Sequence, residues 1–282
     1  MDSQIRVFWR YFKRNRLAVA GMVMILVIFF VAGFASFLAP VDPGKTDVSL
    51  KLKPPSTLHF LGTDQLGRDV FSRMLYGSRI SLNVGFVAVA ISIFIGVLVG
   101  GVAGYYGRWV DSLLMRFVDI MLCFPSFFLI LTVVALLGPS LLNVMVVIGI
   151  TSWPGTSRFV RAEFLSLRER DFVQAAKSLG VKDLRIIFRH ILPNALAPVF
   201  VTATLDVASA ILVEAGLSFL GFGVQPPAPS WGNILTEGRT YIFDAWWLTV
   251  FPGLAILVTV LSFNLLGEGL RDAIDPRLRG RR

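Results

Sequence analysis

Long apolar runs alternate with shorter polar segments along the whole chain. A helix needs about 20 mostly apolar residues to cross the hydrocarbon core of a membrane, and six runs approach or exceed that length. The pattern predicts an all-α, polytopic membrane protein with about six transmembrane helices. The predicted spans are 17–39, 80–105, 113–137, 141–155, 195–219 and 247–270, and the fourth is short and interrupted by Pro154.

The polar segments predict the direction of the spans. Basic residues crowd the segment before the first span, the gap between the fourth and fifth spans, and the C-terminal tail 271–282. Because cytoplasmic loops are enriched in Lys and Arg, both termini are predicted to be cytoplasmic. The first span resembles a secretory signal, but its apolar run is too long for a signal core and five more spans follow, so it is interpreted as an uncleaved anchor.

Composition supports the membrane assignment and excludes other classes of protein. Hydrophobic residues make up 55% of the 282 residues and charged residues 16%, which is too little polar sequence for the exterior of a soluble domain. The net charge of +9 lies in the gaps between apolar runs, so a nucleic-acid partner is not predicted. The single cysteine, Cys123, excludes a disulfide within the chain, and His59 and His190 are far apart in sequence, so no metal site is predicted.

Glycine recurs every fourth residue in the second span. Gly96, Gly100 and Gly104 share one helix face, where the absence of a side chain lets another backbone approach closely. The spacing predicts either a subunit or bundle interface, or a glycine-rich span without a special partner.

Ionisable residues within the apolar runs are few. Asp206 lies well inside the fifth span and Glu214 nearer its outer end. A carboxylate at membrane depth is costly unless it faces water or a partner, so each is a candidate for the translocation path, and Asp206 alternatively holds helices together by hydrogen bonds. Arg116 and Asp119, one turn apart in the third span, are predicted to pair.

Two predicted outer segments are too irregular for spans. The stretch 61–69 is rich in turn-forming residues, with a helix expected after it. The stretch 216–231 is dense in Gly, Pro and aromatic residues and predicts a loop or a partial re-entrant segment over the outer mouth.

The polar insert 158–193 separates the fourth and fifth spans. A helix is predicted over 163–179, ended by Gly180, and a second helix over 184–191, with Asp183 as its cap. Pro193 and Pro198 are expected to turn the chain back into the membrane. Its eight basic residues are Arg158, Arg161, Arg168, Arg170, Lys177, Lys182, Arg185 and Arg189.

The use of this insert has two interpretations. Ala175 and Ala176 are expected to leave a low-relief surface that a soluble partner can approach closely. Alternatively, the insert is a basic amphipathic element that contacts only lipid headgroups. Charge does not separate the two, but the spacing of particular residues does.

The spacing resembles the coupling segment of ABC importer permeases, written EAA-x3-G-x9-I-x-LP. The segment departs from that pattern at two positions, where Gln174 replaces the acidic residue and His190 replaces the isoleucine. The matching positions are Ala175, Ala176, Gly180, Leu192 and Pro193. Further runs at 61–69, 214–221, 226–232, 251–253 and 269–276 look like the second permease of dipeptide, oligopeptide and nickel importers.

The resemblance implies an architecture and a set of partners. It implies a cytoplasmic N-terminus, first helix and outer loop over 1–79, an ABC type-1 transmembrane domain over 80–270, and a cytoplasmic tail over 271–282. It also implies a homologous sister permease, one or two ABC ATPase subunits that dock on the insert, and an extracytoplasmic solute-binding protein. The location implied is a bacterial or archaeal cell membrane.

The predicted function follows from that set. The chain lacks a G-x4-G-K-[ST] phosphate loop, so it is interpreted as a transport subunit and not an enzyme, with ATP and Mg bound by its partners and no cofactor of its own. Its predicted role is to form half of the pathway for di- and oligopeptides, with nickel or another small solute as the alternative cargo. An ion-coupled secondary transporter using Asp206 and Glu214 is a weaker alternative, and the scattered acids disfavour a membrane-embedded enzyme.

Overall fold

The structure, a computed structural model, describes residues 2–274 and the side chains of 6 and 8–274. Within this part the chain is helical, and its only β pairing is an isolated bridge between Thr63 and Asp69. From residue 275 onward the predicted tail lies outside the described residues. The helices are α1 (Asp2–Arg14), α2 (Arg16–Gly33), α3 (Ala35–Leu38), α4 (Val70–Tyr106), α5 (Arg108–Leu122), α6 (Ser126–Leu137), α7 (Leu141–Arg168), α8 (Asp171–Ser178), α9 (Asp183–Ile186), α10 (Leu192–Phe219), α11 (Trp231–Gly238) and α12 (Trp247–Ile274).

The helices form one bundle with two different ends. The end that carries α1, α8 and α9 is called the basic end, because the Arg- and Lys-rich insert lies there. The end that carries the segments 39–69 and 220–246 is called the loop end. All-helical construction is the solution that satisfies every backbone polar group within a membrane.

Four helices of the described chain are long and apolar enough to cross a membrane. They are α2, α4, α12 and the continuous helical stretch Asp183–Phe219, which contains α9 and α10. The bent pair α5 and α6 makes a fifth crossing if the two act as one span. These helices make the chain a multi-pass membrane protein, while the predicted number of six spans stays a prediction.

The third predicted span, 113–137, is wrong as a single helix. The chain breaks between α5 and α6, and the two helices are bent by 80°. Pro125 explains the break, because proline has no N–H to donate and disfavours helical backbone at the residue before it. Cys123 still closes the last turn of α5 through its N–H to the carbonyl of Asp119, 3.1 Å away.

The glycine face of α4 packs against α7 of the same chain. A Cβ on Gly100 would lie 2.3 Å from the carbonyl oxygen of Ser157, and one on Gly104 would lie 2.7 Å from the Cβ of Phe164. Such distances mean that the two backbones touch, as at small-residue interfaces in membranes. This glycine face therefore lies inside the bundle, packed on a helix of the same chain.

The segment 61–69 takes part in a cluster of ion pairs at the loop end. This cluster, called the clamp, consists of Asp64, Arg68, Arg73 and Glu237. Asp64, with a fully buried side chain, accepts from Arg68 Nε at 2.6 Å and from Arg73 Nη1 at 2.5 Å. Glu237 of α11 accepts from the same two arginines at 2.8 and 2.6 Å. Burial raises the pKa of Glu237, but the hydrogen bonds and charge of Arg73, with the charge of Arg68, outweigh burial and hold this pKa below its usual value. The clamp joins the start of α4 to the end of α11.

The stretch 216–231 was predicted to be a loop or a partial re-entrant segment. Its first residues end α10 at Phe219, residues 220–230 are irregular, and α11 begins at its last residue, Trp231. Ser230 begins it with a capping box, in which its hydroxyl accepts from the Asn233 N–H and its N–H donates to the Asn233 side chain. Trp231 donates from its indole to the carbonyl of Met74, 3.1 Å away, and packs on Gly77. The irregular residues 220–230 agree with the predicted loop, and α11 after them packs between α4, α10 and α12.

Candidate functional site

The predicted helix over 163–179 is wrong as one element, since it is two helices. α7 ends at Arg168, and α8 begins at Asp171 after Arg170, whose backbone is extended (φ −73°, ψ 147°). The Gln174 side chain donates back across this break to the carbonyl of Arg168, 3.0 Å away. Gln174 therefore braces the corner between the two helices from an exposed position.

Helix α8 has one buried and one exposed face. Val173 is fully buried and Ala176 is 7% exposed. Phe172, Ala175 and Leu179 lie on the exposed side, at i, i+3 and i+7, and are called the α8 face. The expectation that Ala175 and Ala176 together form a surface is corrected: only Ala175 is exposed, and Ala176 belongs to the core.

Gly180 ends α8, as predicted, through a Schellman motif. The N–H of Gly180 donates to the carbonyl of Lys177 (2.9 Å), and that of Val181 donates to the carbonyl of Ala176 (3.1 Å). Gly180 has φ +73°, a left-handed conformation that glycine adopts at low cost. The motif reverses the chain immediately after the α8 face.

The prediction that Asp183 caps the second helix is wrong. Asp183 occupies the first turn of α9, and Lys182 is the cap residue. Its carboxylate instead accepts a hydrogen bond of 2.7 Å from the hydroxyl of Tyr105, at the end of α4. Arg168 donates to the backbone carbonyl of Tyr105 (3.1 Å), and the Lys177 ammonium lies 5.6 Å from its ring centre. Sequence reasoning missed Tyr105, because nothing in the sequence places it beside the insert.

The chain was expected to turn into the membrane at Pro193 and Pro198, but it makes no turn at either proline. The helix runs from Asp183 to Phe219 without interruption. A π-helical turn, Ile187–Ile191, comes just before Pro193, and Leu192 N–H donates to the carbonyl of Ile187. A wider turn relieves the clash between the proline ring and the preceding carbonyls, so proline is accommodated without a break. Pro193 itself is exposed, and Leu192 is half-buried.

A dedicated core anchors the insert to the bundle. It joins residues from α4, α7, α8, α9 and α10, the last of which continues from the π-helical turn. Ile186, at the end of α9, is fully buried in it. Its buried members are Tyr105, Val160, Phe164, Val173, Ala176, Ile186, Ile191, Ala195 and Val199. Because interiors are close-packed, α8 is in direct contact with these helices through this core.

Two ion pairs tie α5 to α7 above this core. The guanidinium of Arg161 binds both carboxylate oxygens of Asp111. Asp119 pairs with Arg158 at 2.5 Å, so its predicted pairing with Arg116 is wrong. Arg158 comes from another helix and shows why spacing within one helix was not sufficient.

Asp206 lies on a polar stripe of α10. Thr202, Asp206 and Ser209 are separated by four and three residues, so they share one helix face. Ser209 is exposed, while Thr202 and Asp206 are half-buried. Among the described side chains, those of 6 and 8–274, none forms a hydrogen bond or ion pair with Asp206. The stripe therefore holds a half-buried carboxylate that has no partner among the described side chains, next to the exposed Ser209.

Glu214 lies in a different environment. It is 1% exposed, and one carboxylate oxygen accepts from the hydroxyls of Ser218 (2.7 Å) and Ser230 (2.9 Å). Ser230 caps α11, so Glu214 fixes the start of that helix against α10. Within the described residues no three His, Cys, Asp or Glu side chains come together as a metal-binding group.

Known proteins are similar in sequence to nearly the whole of this chain. The dipeptide transport system permease protein DppC of Alkalihalophilus pseudofirmus is 47% identical over 98% of this chain and 91% of its own length. The di/tripeptide transport system permease protein DppC of Pseudomonas aeruginosa is 45% identical over 98% and 93%. The glutathione transport system permease protein GsiD of Pectobacterium atrosepticum is 43% identical over 97% and 91%.

The fold also has a counterpart among solved structures. A chain of the MetNI methionine ABC transporter, in an inward-facing conformation, aligns with a TM-score of 0.58 over 73% of this chain and 98% of its own, at 18% identity. The bundle therefore has the ABC type-1 permease fold. Residues 3–55 match the family model of the N-terminal transmembrane domain of oligopeptide transport permease C. Residues 92–280 match the family model of binding-protein-dependent transport system inner membrane components, and the chain belongs to that family.

Proposed function

We propose that this chain is the permease subunit of an ATP-driven importer of di- and oligopeptides, and that the α8 face is where the ATPase docks. The observation that carries the proposal is that α8 has an exposed apolar face while its opposite side is buried in the bundle. Leu179 is 83% and Phe172 44% exposed, while the opposite side of α8 is core. Exposed apolar residues on a well-anchored element are typical of protein interaction sites.

The position of the α8 face also sets the orientation of the bundle in the membrane. The basic end lies in the cytoplasm, where ATP and Mg are bound by one or two ATPase subunits. The excess of Lys and Arg at this end supports that side. A homologous sister permease completes the pathway, and a solute-binding protein delivers cargo at the loop end. The family's dependence on binding proteins disfavours the ion-coupled alternative.

Transmission uses the contacts around Tyr105. When the ATPase subunits close on ATP, α8 moves with the surface on which it docks. The bond from Tyr105 to Asp183 and the shared core pass that displacement to α4, α7 and α10. Packed helices respond by discrete rigid shifts, which fits alternating access to the pathway.

The polar stripe of α10 faces the pathway. An unpaired carboxylate cannot face lipid at low cost, so Asp206 lies against water or a partner in the membrane. A peptide with a free amino terminus carries the positive charge that such a carboxylate attracts. Glu214 is not part of this surface in the conformation described, since this chain buries it.

The cargo is assigned from the relatives. Their names refer to dipeptides, tripeptides and glutathione, all of which are short peptides. Transport of labelled dipeptides by the reconstituted complex tests this assignment. Uptake of nickel or another small solute, with no uptake or competition by dipeptides, would identify the alternative cargo.

The docking role is tested at Ala175. Ala175→Arg places a long side chain on the α8 face with only a small loss of helix propensity, whereas Ala175→Ser keeps the side chain short. We expect the arginine variant to lose most cargo-stimulated ATP hydrolysis and copurification of the ATPase, and the serine variant to retain both. Full activity of Ala175→Arg would show that no partner approaches this face.

A further inference from the structure

Helix α1 has a basic face and an apolar face. Arg6, Trp9, Arg10 and Lys13 are exposed and follow one another at helical spacing, while Phe12 on the other side is only 2% exposed. The segment 2–16 carries five basic residues and a single acid, Asp2. Such a helix, cationic on one side and apolar on the other, is typical of elements that lie in a membrane interface.

The packing of α1 sets its level relative to the membrane. One residue, Asn15, separates it from α2, the first apolar span, and the Asn15 side chain caps α2 by accepting from Ala18 N–H at 3.2 Å. Phe12 packs with Ala18 near the start of α2 and Ala273 at the end of α12. Helix α1 therefore lies beside the ends of two membrane helices, at the depth of the lipid headgroups.

The exposed face of α1 lines a shallow pocket that is open to the outside. Its volume is about 610 Å³, and Arg6, Trp9, Arg10 and Lys13 line it. Three of these side chains are cations and the fourth is an indole. Arg and Lys are the usual protein partners of phosphate oxygens, and Trp is enriched where headgroups meet acyl chains.

We propose that this pocket binds the phosphate headgroup of an anionic phospholipid. The charge is complementary, the depth is that of the headgroups, and the indole of Trp9 offers an apolar surface to the first carbons of the acyl chains. The site is separate from the coupling insert and from the polar stripe of α10, so it does not depend on which cargo the chain carries. It anchors α1 and, through Phe12, the adjoining ends of α2 and α12 to the membrane surface.

Two double variants separate a specific pocket from diffuse attraction. Arg10→Gln with Lys13→Gln removes two charges that line the pocket. Arg14→Gln with Arg16→Gln removes two charges from the same segment, and neither residue lines the pocket. All four positions are exposed, so neither pair disturbs a core.

The measurement counts retained lipid. The full chain, with its copurifying subunits, is placed in nanodiscs of phosphatidylcholine with or without phosphatidylglycerol, and bound phosphatidylglycerol is read by native mass spectrometry. Each basic residue near an anionic surface contributes about a fivefold factor to partitioning, so we expect loss of Arg10 and Lys13 to weaken retention about 25-fold relative to the unaltered chain, and clearly more than loss of Arg14 and Arg16 does. Unchanged melting temperature in phosphatidylcholine alone verifies that both variants fold.

Three outcomes decide the proposal. Preferential loss in the Arg10 and Lys13 variant, with no displacement by added inorganic phosphate, supports a lipid headgroup site. Equal loss in both variants means diffuse attraction and overturns it, as does unchanged retention in both. Displacement of the lipid by inorganic phosphate identifies a free-phosphate site and also overturns the lipid assignment.

Discussion

The hydroxyl of Tyr105 donates a hydrogen bond of 2.7 Å to the carboxylate of Asp183. Tyr105 is the penultimate residue of α4, and Asp183 is the first residue of α9, so the bond joins a membrane helix to the insert that we assign to ATPase docking. Hydrogen bonds to charged acceptors are stronger than neutral ones, which supports our proposal that this contact transmits movement of the insert to α4.

Tyr105→Phe tests this transmission. The ring keeps its packing and only the hydroxyl is lost, so we expect a loss of about 1 to 2 kcal/mol in stability. We also expect several-fold lower coupling of ATP hydrolysis to uptake, measured in proteoliposomes as cargo moved for each ATP hydrolysed. Tyr106→Phe is the matched control, because Tyr106 is the exposed neighbour. Equal effects from the two variants would contradict a special role for Tyr105.

Gly100→Ala tests the contact between α4 and α7. Its new Cβ would meet the Ser157 carbonyl oxygen at 2.3 Å, so the helices must separate at a cost of about 1 to 3 kcal/mol. We expect a lower melting temperature of the purified permease by fluorescence or calorimetry. The control is Gly155→Ala on α7, since a Cβ at Gly155 meets nothing within 4 Å. Equal melting temperatures for the two variants would mean that the backbones do not touch.

Acid is expected to loosen the clamp at the loop end. The folded-state pKa of Glu237 lies below its unfolded value of about 4.5. The stability from this shift is therefore fully present above about pH 4.5 and is lost as the pH falls through the lower, folded pKa. Proteolysis of the segment 39–69 should accelerate in that acid range.

Glu237→Gln checks the source of that pH dependence. It leaves Arg68 and Arg73 without one carboxylate, so we expect destabilisation of about 3 kcal/mol at neutral pH and a flatter acid profile of protease sensitivity. Asp244→Asn, which neutralises an exposed acid at the same end, should preserve the wild-type profile. An acid profile that is unchanged in Glu237→Gln would exclude Glu237 as the titrating group.

Asp206→Asn tests the pathway assignment. If the carboxylate attracts the cargo's amino group, uptake of free dipeptides should fall about tenfold or more, because a hydrogen bond to a charged group contributes about 1.5 to 3 kcal/mol. Competition by N-acetylated dipeptides should become as strong as that by free ones. Asp206→Glu, which keeps the charge, should retain the preference. Unaltered preference in Asp206→Asn would remove this residue from the pathway.

The sequence was sufficient for features that depend on neighbours along the chain. Apolar length located the long helices, and the Gly180 cap followed from local backbone chemistry. It failed where distant segments decide the outcome. Asp183 and Asp119 have partners from other helices, at Tyr105 and Arg158, and Ala176 is buried because the insert folds back on the bundle.

Proline interrupts a helix at one position and not at another. Pro125 breaks the third predicted span, whereas Pro193 follows a π-helical turn and leaves its helix intact. Both residues lack an N–H, so the residue type alone does not distinguish a break from a wider turn. The difference depends on whether the preceding turn can widen while its side chains stay packed, as Ile191 does in the core of the insert.

Helix α4 has 37 residues and is therefore about 55 Å long, well beyond the roughly 30 Å hydrocarbon core of a membrane. Its first turn contributes Arg73 to the clamp and its last turn contributes Tyr105 to the insert, so one continuous helix connects the two ends of the bundle. Binding at the two ends of this helix is then reciprocal. If a ligand bound at one end changes the affinity of a second ligand at the other end, the second ligand must change the affinity of the first by the same factor.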